Sequence, residues 1–394
     1  MRSVADTTPV QPVRAVRPAR RIDVLGPLTT VLAFVLAAVV GGILVVVSDP
    51  VVMKTWTYFF AAPGDALSAS VHTIGAAYGA MGAGAVGGWS EIANTLVEAT
   101  PLICGGLAVS LAFRAGLFNI GAQGQVIAGA VGAGYVGFTL QLPIVLHVIV
   151  ALIAGVAAGA VWGGIAGLLK ARTGAHEVIV TIMLNYVAQA LLSWGLTSSL
   201  LRRPGRSDNI SPIVRDSAAL PSVGGVHLGF VLALAAAVLV WFLLNRTKTG
   251  FILRTVGANP DAARTAGMSV RRATTIAMLV SGGLAGLAGL QLVLGQHLPL
   301  TDGVAGTVGF DAITVALLGR GTPLGSVLAG LLFGALNAGG RHMQVVTQTP
   351  LSLSVVLQAV VVLFVAAPTL VREITRIRGR SSGDGPVLAK GWNS

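Results

Sequence analysis

Ten apolar stretches separated by short polar loops leave this chain almost no way to fold in water. The first, Leu28 to Val47, carries no charge and is long enough to cross ~30 Å of hydrocarbon as a helix. The others fall at about 92–113, 119–140, 143–169, 178–201, 228–245, 273–294, 311–319, 323–340 and 351–371. The 311–319 stretch is too short to cross unaided and needs its flanks. With 54% hydrophobic and 10% charged residues, the bilayer has to be the solvent for most of the surface. The expected fold is all-α, a polytopic transmembrane helical bundle of about ten helices over residues 28–371.

Charge then sets the topology. The net charge of +12 sits in short strips between apolar runs instead of on one continuous face, which argues against a nucleic-acid partner. With the N-terminus inside, 20 of the 26 Lys and Arg fall on the cytoplasmic side, in agreement with the preference of positive loops for the cytoplasm. Residues 1–27 read as a basic cytoplasmic arm before an uncleaved first span, and 372–394 as a disordered cytoplasmic tail. Residues 49–91 read as an external segment with room for an interfacial helix. The external loop Arg202 to Gly229, with four arginines, fits the charge rule least well.

Glycine patterns point to helix contacts. Gly155, Gly159, Gly163 and Gly167 form a smooth stripe on one helix face, against which another helix should lie, and Gly282/Gly286 and Gly330/Gly334 repeat the spacing. The echo between Gly105–Ala112 and Gly282–Gly289, in segments of opposite direction, suggests an inverted-topology repeat.

Two strings concentrate polar side chains inside apolar surroundings. GLFNIGAQGQ, Gly116 to Gln125, holds Phe118, Asn119, Gln123 and Gln125, and EVIVTIMLNY, Glu177 to Tyr186, leads to Asn185, Tyr186 and Gln189. Amides without partners are costly in hydrocarbon, so these must face protein or a water-filled path. Asn119 with Gln123, and Asn185 with Gln189, are spaced to share a helix face. Such neutral donors and acceptors, with Phe118 and Tyr186 as stacking partners, suit a neutral polar solute; helix joining is the equally ready structural explanation. Asn94, Glu98, Gln291, Gln296, Asp311 and Asn337 are further polar residues near membrane depth, and Glu98 and Asp311 are the two candidate intramembrane acids.

The loop Arg246 to Arg272 encodes a short helix outside the membrane. In GANPDAARTAGM, Gly257 to Met268, Asn259 can cap, Pro260 suits the first helical position, Asp261 complements the positive helix end and Gly267 can close it. A two-turn helix standing alone between spans calls for a docking partner.

Enzyme signatures are missing. No Gly-Lys dipeptide exists to build a phosphate-cradling loop, and His176-Glu177 lacks the second histidine of a zinc-hydrolase helix. The single cysteine, Cys104, offers neither a disulfide nor a cysteine metal site. No catalytic residue, metal or cofactor is expected.

Together with LLGRGTPLGS, Leu317 to Ser326, these strings resemble the membrane permeases of bacterial ABC importers over about residues 92–371. Within them the chain is similar to the branched-chain amino acid and ribose permease group, on the nucleoside and simple-sugar side. The resemblance implies a bacterial plasma-membrane subunit with both termini cytoplasmic, embedded in membrane lipids. It further implies cytoplasmic ATPase subunits, a second permease, identical or paralogous, and an extracellular substrate-binding lipoprotein. Gly257 to Met268 would then be the coupling helix, with Asn259, Pro260, Asp261 and Arg264 at the ATPase, Arg264 reaching a partner carboxylate. Phe118, Asn119, Gln123, Gln125, Asn185, Tyr186 and Gln189 would line the substrate pathway. The alternative reading is an ion-coupled secondary transporter relying on Glu98 and Asp311.

Overall fold

The computed structural model describes residues 25–367. The expected basic arm lies outside the described residues except for its last three positions, and the expected tail over 372–394 lies wholly outside them.

The ten expected segments are helices: α1 (Leu25–Ser48), α4 (Trp89–Arg114), α5 (Ala122–Thr139), α6 (Ile144–Thr173), α7 (Glu177–Thr197), α8 (Gly229–Arg246), α11 (Val270–Leu290), α12 (Val308–Leu318), α13 (Pro323–Thr347) and α14 (Leu351–Ala366). Among the described residues, seven helices are long and apolar enough to cross a membrane. Four more helices complete the set. α2 (Pro50–Trp56) and α3 (Pro63–Val86) occupy most of the stretch read as an external segment, and α9 (Lys248–Ala258) and α10 (Pro260–Thr265) share the basic loop.

Local chemistry sets many of the boundaries. Asp49 caps α2 by accepting from the Val51 amide at 2.8 Å, and Pro50 follows at the first helical position. α6 ends at Gly174 in the left-handed region (φ +71°), with Lys170 and Arg172 in its last turn. Thr322 caps α13 through the Gly325 amide, again with proline next. α13 continues seven residues past the expected end at 340, which carries Arg341 into the helix, where it pairs with Glu98 of α4 at 2.7 Å.

α4 and α11 form the centre of the bundle, with 83% and 78% of their apolar windows buried, whereas α6 and α7 are mostly open to the surroundings at 22% and 28%. α4 runs from the loop around Gly224, where the Trp89 indole is bonded, to the turn at Gly321, where Arg114 is bonded. α11 runs the other way, from the end of α10 to the loop holding His227. The glycine stripes decide what each central helix touches. Gly159 and Gly163 of α6 meet Gly282 and Gly286 of α11 backbone to backbone, and Gly330 and Gly334 of α13 meet Ile103 and Ala99 of α4. α11 thus seats on α6 while α4 seats on α13.

Close backbone approach is the source of cohesion here, because lipid tails are as apolar as the side chains and offer no hydrophobic drive for helices to associate. A Cβ at Gly159 would lie 2.5 Å from the Gly286 Cα. Replacing Gly159 by Leu is expected to force α6 and α11 apart at a cost of about 3 kcal/mol. A thermal scan in detergent should show a clear fall in melting temperature, while Gly79→Leu, where nothing lies within 4 Å, should leave it unchanged.

Candidate functional site

α12 has 11 residues, so it spans only ~16 Å by rise per residue. Its C-terminal turn is fixed at one face of the bundle, where the Arg114 Nε donates to the Gly321 carbonyl at 2.8 Å. Its N-terminus therefore starts inside the bundle, after an irregular stretch, 296–307. α5 likewise starts after an irregular stretch, 115–121, that follows the end of α4. Irregular backbone at membrane depth persists only where protein or trapped water satisfies it.

The amides singled out in the sequence supply that satisfaction. Gln123 bridges the start of α12: its Nε2 donates to the Gly306 carbonyl and its Oε1 accepts from the Gly309 amide, both at 2.8 Å. Asn185 of α7 does the same for α5, accepting from the Gly124 amide at 2.8 Å and donating to the Ile120 carbonyl at 2.9 Å. Asn119 accepts from the Gly121 amide at 3.0 Å and donates to Gln125 Oε1 at 2.9 Å and to Ser281 Oγ at 2.8 Å. Gln125 Nε2 donates back to Asn119 Oδ1 at 3.1 Å, and Ser281 Oγ donates to the Ala108 carbonyl at 2.7 Å. Gln189 of α7 holds the Asp302 carbonyl at 2.8 Å, and Ser193 donates to that residue's carboxylate.

Five of the seven expected pathway residues are thus drawn together around the two irregular stretches. The other two take no part in these bonds: Phe118 lies in the 115–121 stretch but packs on Phe113 with ring centroids 5.1 Å apart, and Tyr186 is 69% exposed on α7. The shared helix face expected of Asn119 and Gln123 does not form, because α5 begins only at Ala122 and Asn119 lies in the irregular run before it. The acids weighed for ion coupling have partners within the chain: Glu98 pairs with Arg341, and Asp311 accepts from Thr307 Oγ1 at 2.8 Å.

The same end of the bundle as Arg114 carries α9 and α10. The expected cap is present: Asn259 Oδ1 accepts from the Asp261 and Ala262 amides at 3.0 and 2.9 Å, Pro260 opens the helix, and Gly267 closes it at φ +80°. α10 does not stand alone, however. α9, capped by Thr247, runs straight into it so that Asn259 ends one helix and starts the other, and Ala263 is fully buried beneath α10. Sequence reading missed α9 because its apolar run, Phe251 to Leu253, is too short to mark a span and glycines interrupt it, although Thr247 is a legible cap. Asp261 and Arg264 pair with each other at 2.8 Å, both exposed. Gly257 at the end of α9 lies against Arg114–Gly116 so closely that no side chain fits on either glycine, and Gly116 itself sits at φ +71°. α9 thereby rests directly on the irregular stretch that carries Asn119.

Residues 91–366 match the family model described as branched-chain amino acid transport system / permease component. The chain belongs to this family. Among curated relatives, the permease is 40% identical to the guanosine ABC transporter permease protein NupP of Bacillus subtilis, over 77% of this chain and 89% of the relative. It is 35% identical to the glucose ABC transporter permease protein TsgB13 of Haloferax volcanii, over 81% and 87%. It is 33% identical to the nucleoside ABC transporter permease protein NupB of Lactococcus lactis, over 66% and 74%. No solved structure matches. Helices α1 to α3 precede the matched region. As a transport component the permease is not an enzyme; ATP hydrolysis belongs to a separate subunit.

Because Gln123 holds the start of α12, Gln123→Ala should lower the detergent melting temperature by the equivalent of about 1–2 kcal/mol, since the buried Gly309 amide and the exposed Gly306 carbonyl lose their partner. Gln123→Glu, which keeps the acceptor for Gly309 but loses the donor to Gly306, should fall between the two.

Proposed function

We propose that this permease is the membrane-spanning subunit of an ATP-driven importer of nucleosides. The observation that carries the reading is α10, a capped helix on the Arg114 face whose neighbour α9 is in backbone contact with the 115–121 stretch. Four relatives are named for guanosine or nucleosides and two for glucose, so simple sugars are the competing substrate class. Three organisms each contribute two relatives, one more similar to this chain and one less: NupP and NupQ, TsgB13 and TsgC13, NupB and NupC. This supports a heterodimer in which the present chain takes the first place and a paralogous permease the second.

In this reading the Arg114 face is cytoplasmic in a bacterial plasma membrane, and α10 seats in a groove of an ATPase subunit. Asp261 and Arg264, paired on the free surface, exchange for partner charges on docking. Closure of two ATPases around ATP moves α9 and α10, and the Gly257–Gly116 contact passes the movement to the irregular stretch before α5. Because Asn119, Gln125, Ser281 and Asn185 tie that stretch to α5, α7 and α11, it moves them as a unit. The solute crosses because its affinity differs between two access states, with an extracellular lipoprotein delivering it.

Uptake of labelled guanosine and of labelled glucose into vesicles holding the assembled transporter tests the reading. Guanosine uptake should require ATP inside the ATPase compartment and survive a proton uncoupler. Uptake that persists without ATP and collapses with the uncoupler would establish an ion-coupled secondary transporter instead. Replacing Asn259 and Pro260 together by Gly should abolish uptake while membrane insertion stays intact, and normal uptake in that variant would refute the docking role.

A further inference from the structure

At the end of the bundle away from α10, the loop between α7 and α8 folds into a small hairpin, β1 (Ser222–Val223) and β2 (Val226–His227). Its turn is Gly224–Gly225, at φ +60° and +87°, the two-residue form that needs positive φ at both positions. The Trp89 indole clamps the turn by donating to the Gly224 carbonyl at 2.8 Å. The pairing turns Val223 outward and His227 inward, where the imidazole is 3% exposed against Gly295. Neither of its ring nitrogens has a hydrogen-bond partner. A buried imidazole left without any partner calls for an explanation.

His227 forms one wall of a cavity of about 340 Å³. The other polar walls are Asn94 and Glu98 of α4, Ser222, Gln296 and His297. Glu98 gives one carboxylate oxygen to Arg341, which leaves the other without an ion-pair partner. The chain rising out of α11 is irregular here in two ways: Gln291–Gly295 is a π-helical turn, and His297 holds φ +55°. Both features gather at functional sites. Burial first, and the neighbouring His297 second, hold the His227 imidazole down to about 4. It is therefore neutral near pH 7, with one nitrogen donating and the other accepting. No cluster of three or more His, Cys, Asp or Glu suited to a metal ion occurs among the described residues.

We propose that this cavity is the receiving subsite for the polyhydroxylated ring of the transported solute, a ribose or hexose ring bearing vicinal hydroxyls. Each hydroxyl donates once and accepts. The second Glu98 oxygen accepts hydrogen bonds, the Asn94 and Gln296 amides donate and accept them, and the neutral His227 does both. The location, on the face opposite α10, is the entry side of an importer, so the subsite rests on the importer reading. The ring is the chemistry that guanosine and glucose share.

Two measurements test it. In the purified full-length permease in nanodiscs, carbethoxylation of exposed His297 is followed by mass spectrometry, with exposed His72 of α3 as the internal control. Ribose at high concentration should slow the reaction at His297 several-fold, leave His72 unaffected and be matched by glucose; unchanged rates with both sugars would overturn the subsite. In the assembled transporter, Asn94→Ala and Gln296→Ala should each raise KM roughly tenfold, about the loss of one hydrogen bond, and keep the maximal rate. Wild-type KM in both variants would overturn the subsite and leave the importer reading standing. If the wild type takes up neither guanosine nor glucose, the importer reading fails, and protection of His297 still decides whether the cavity binds such a ring.

Discussion

A backbone amide or carbonyl at bilayer depth must find its partner within the protein, and the centre of this permease is arranged around that demand. A continuous helix meets it unaided, and most of the spans do so. α5 and α12 do not, because each starts inside the bundle after a run of irregular chain. Gln123, Asn185 and Asn119 then supply from their side chains what a preceding helical turn would have supplied, each contact of this kind being worth about 1 kcal/mol. Their spacing among glycines follows from the same demand, since a side-chain amide reaches a neighbouring backbone only where little else intervenes.

Close packing and movement are reconciled by where the small residues stand. The α6–α11 and α4–α13 contacts lock helix pairs through facing backbones, so each pair behaves as a stiff unit. Between these pairs run α5, which itself packs on α11 through Gly129 on Gly286 and Val126 on Gly289, and the short α12; the irregular leads before both are held by directional bonds. The α9–α10 unit touches the lead before α5 through two glycines, a contact of backbone on backbone with no flexible side chain to absorb a push. A motor acting on α10 would therefore bear on the irregular lead before α5 and not on a continuous helix pair.

Much of this was legible in the sequence. Uncharged runs such as Leu28 to Val47 marked the spans, the four-residue glycine spacing marked α6, α11 and α13 as helices with a close neighbour without saying which, and Asn259-Pro260 placed a helix start that the structure reproduces. What escaped was whatever depends on partners distant in sequence. Asn119 and Gln123 look like one helix face until the bond from Asn119 to Ser281 shows that the chain is still irregular at 119. The seven-residue extension of α13 was hidden because Arg341 reads as a loop charge, and only Glu98, far away in the chain, makes it tolerable inside a helix. The hairpin around His227 had a readable Gly-Gly turn, but its strands of two residues are too short to announce themselves by alternation.

The account stands on the side of the membrane from which α10 is reached. In a Cys104→Ser background, which removes the sole cysteine, Arg264→Cys places one thiol on the exposed turn of α10. A membrane-impermeant maleimide should label it in inside-out vesicles and leave it untouched in intact cells. Labelling from the outside of intact cells would put the docking helix where no ATPase can reach it and contradict the account.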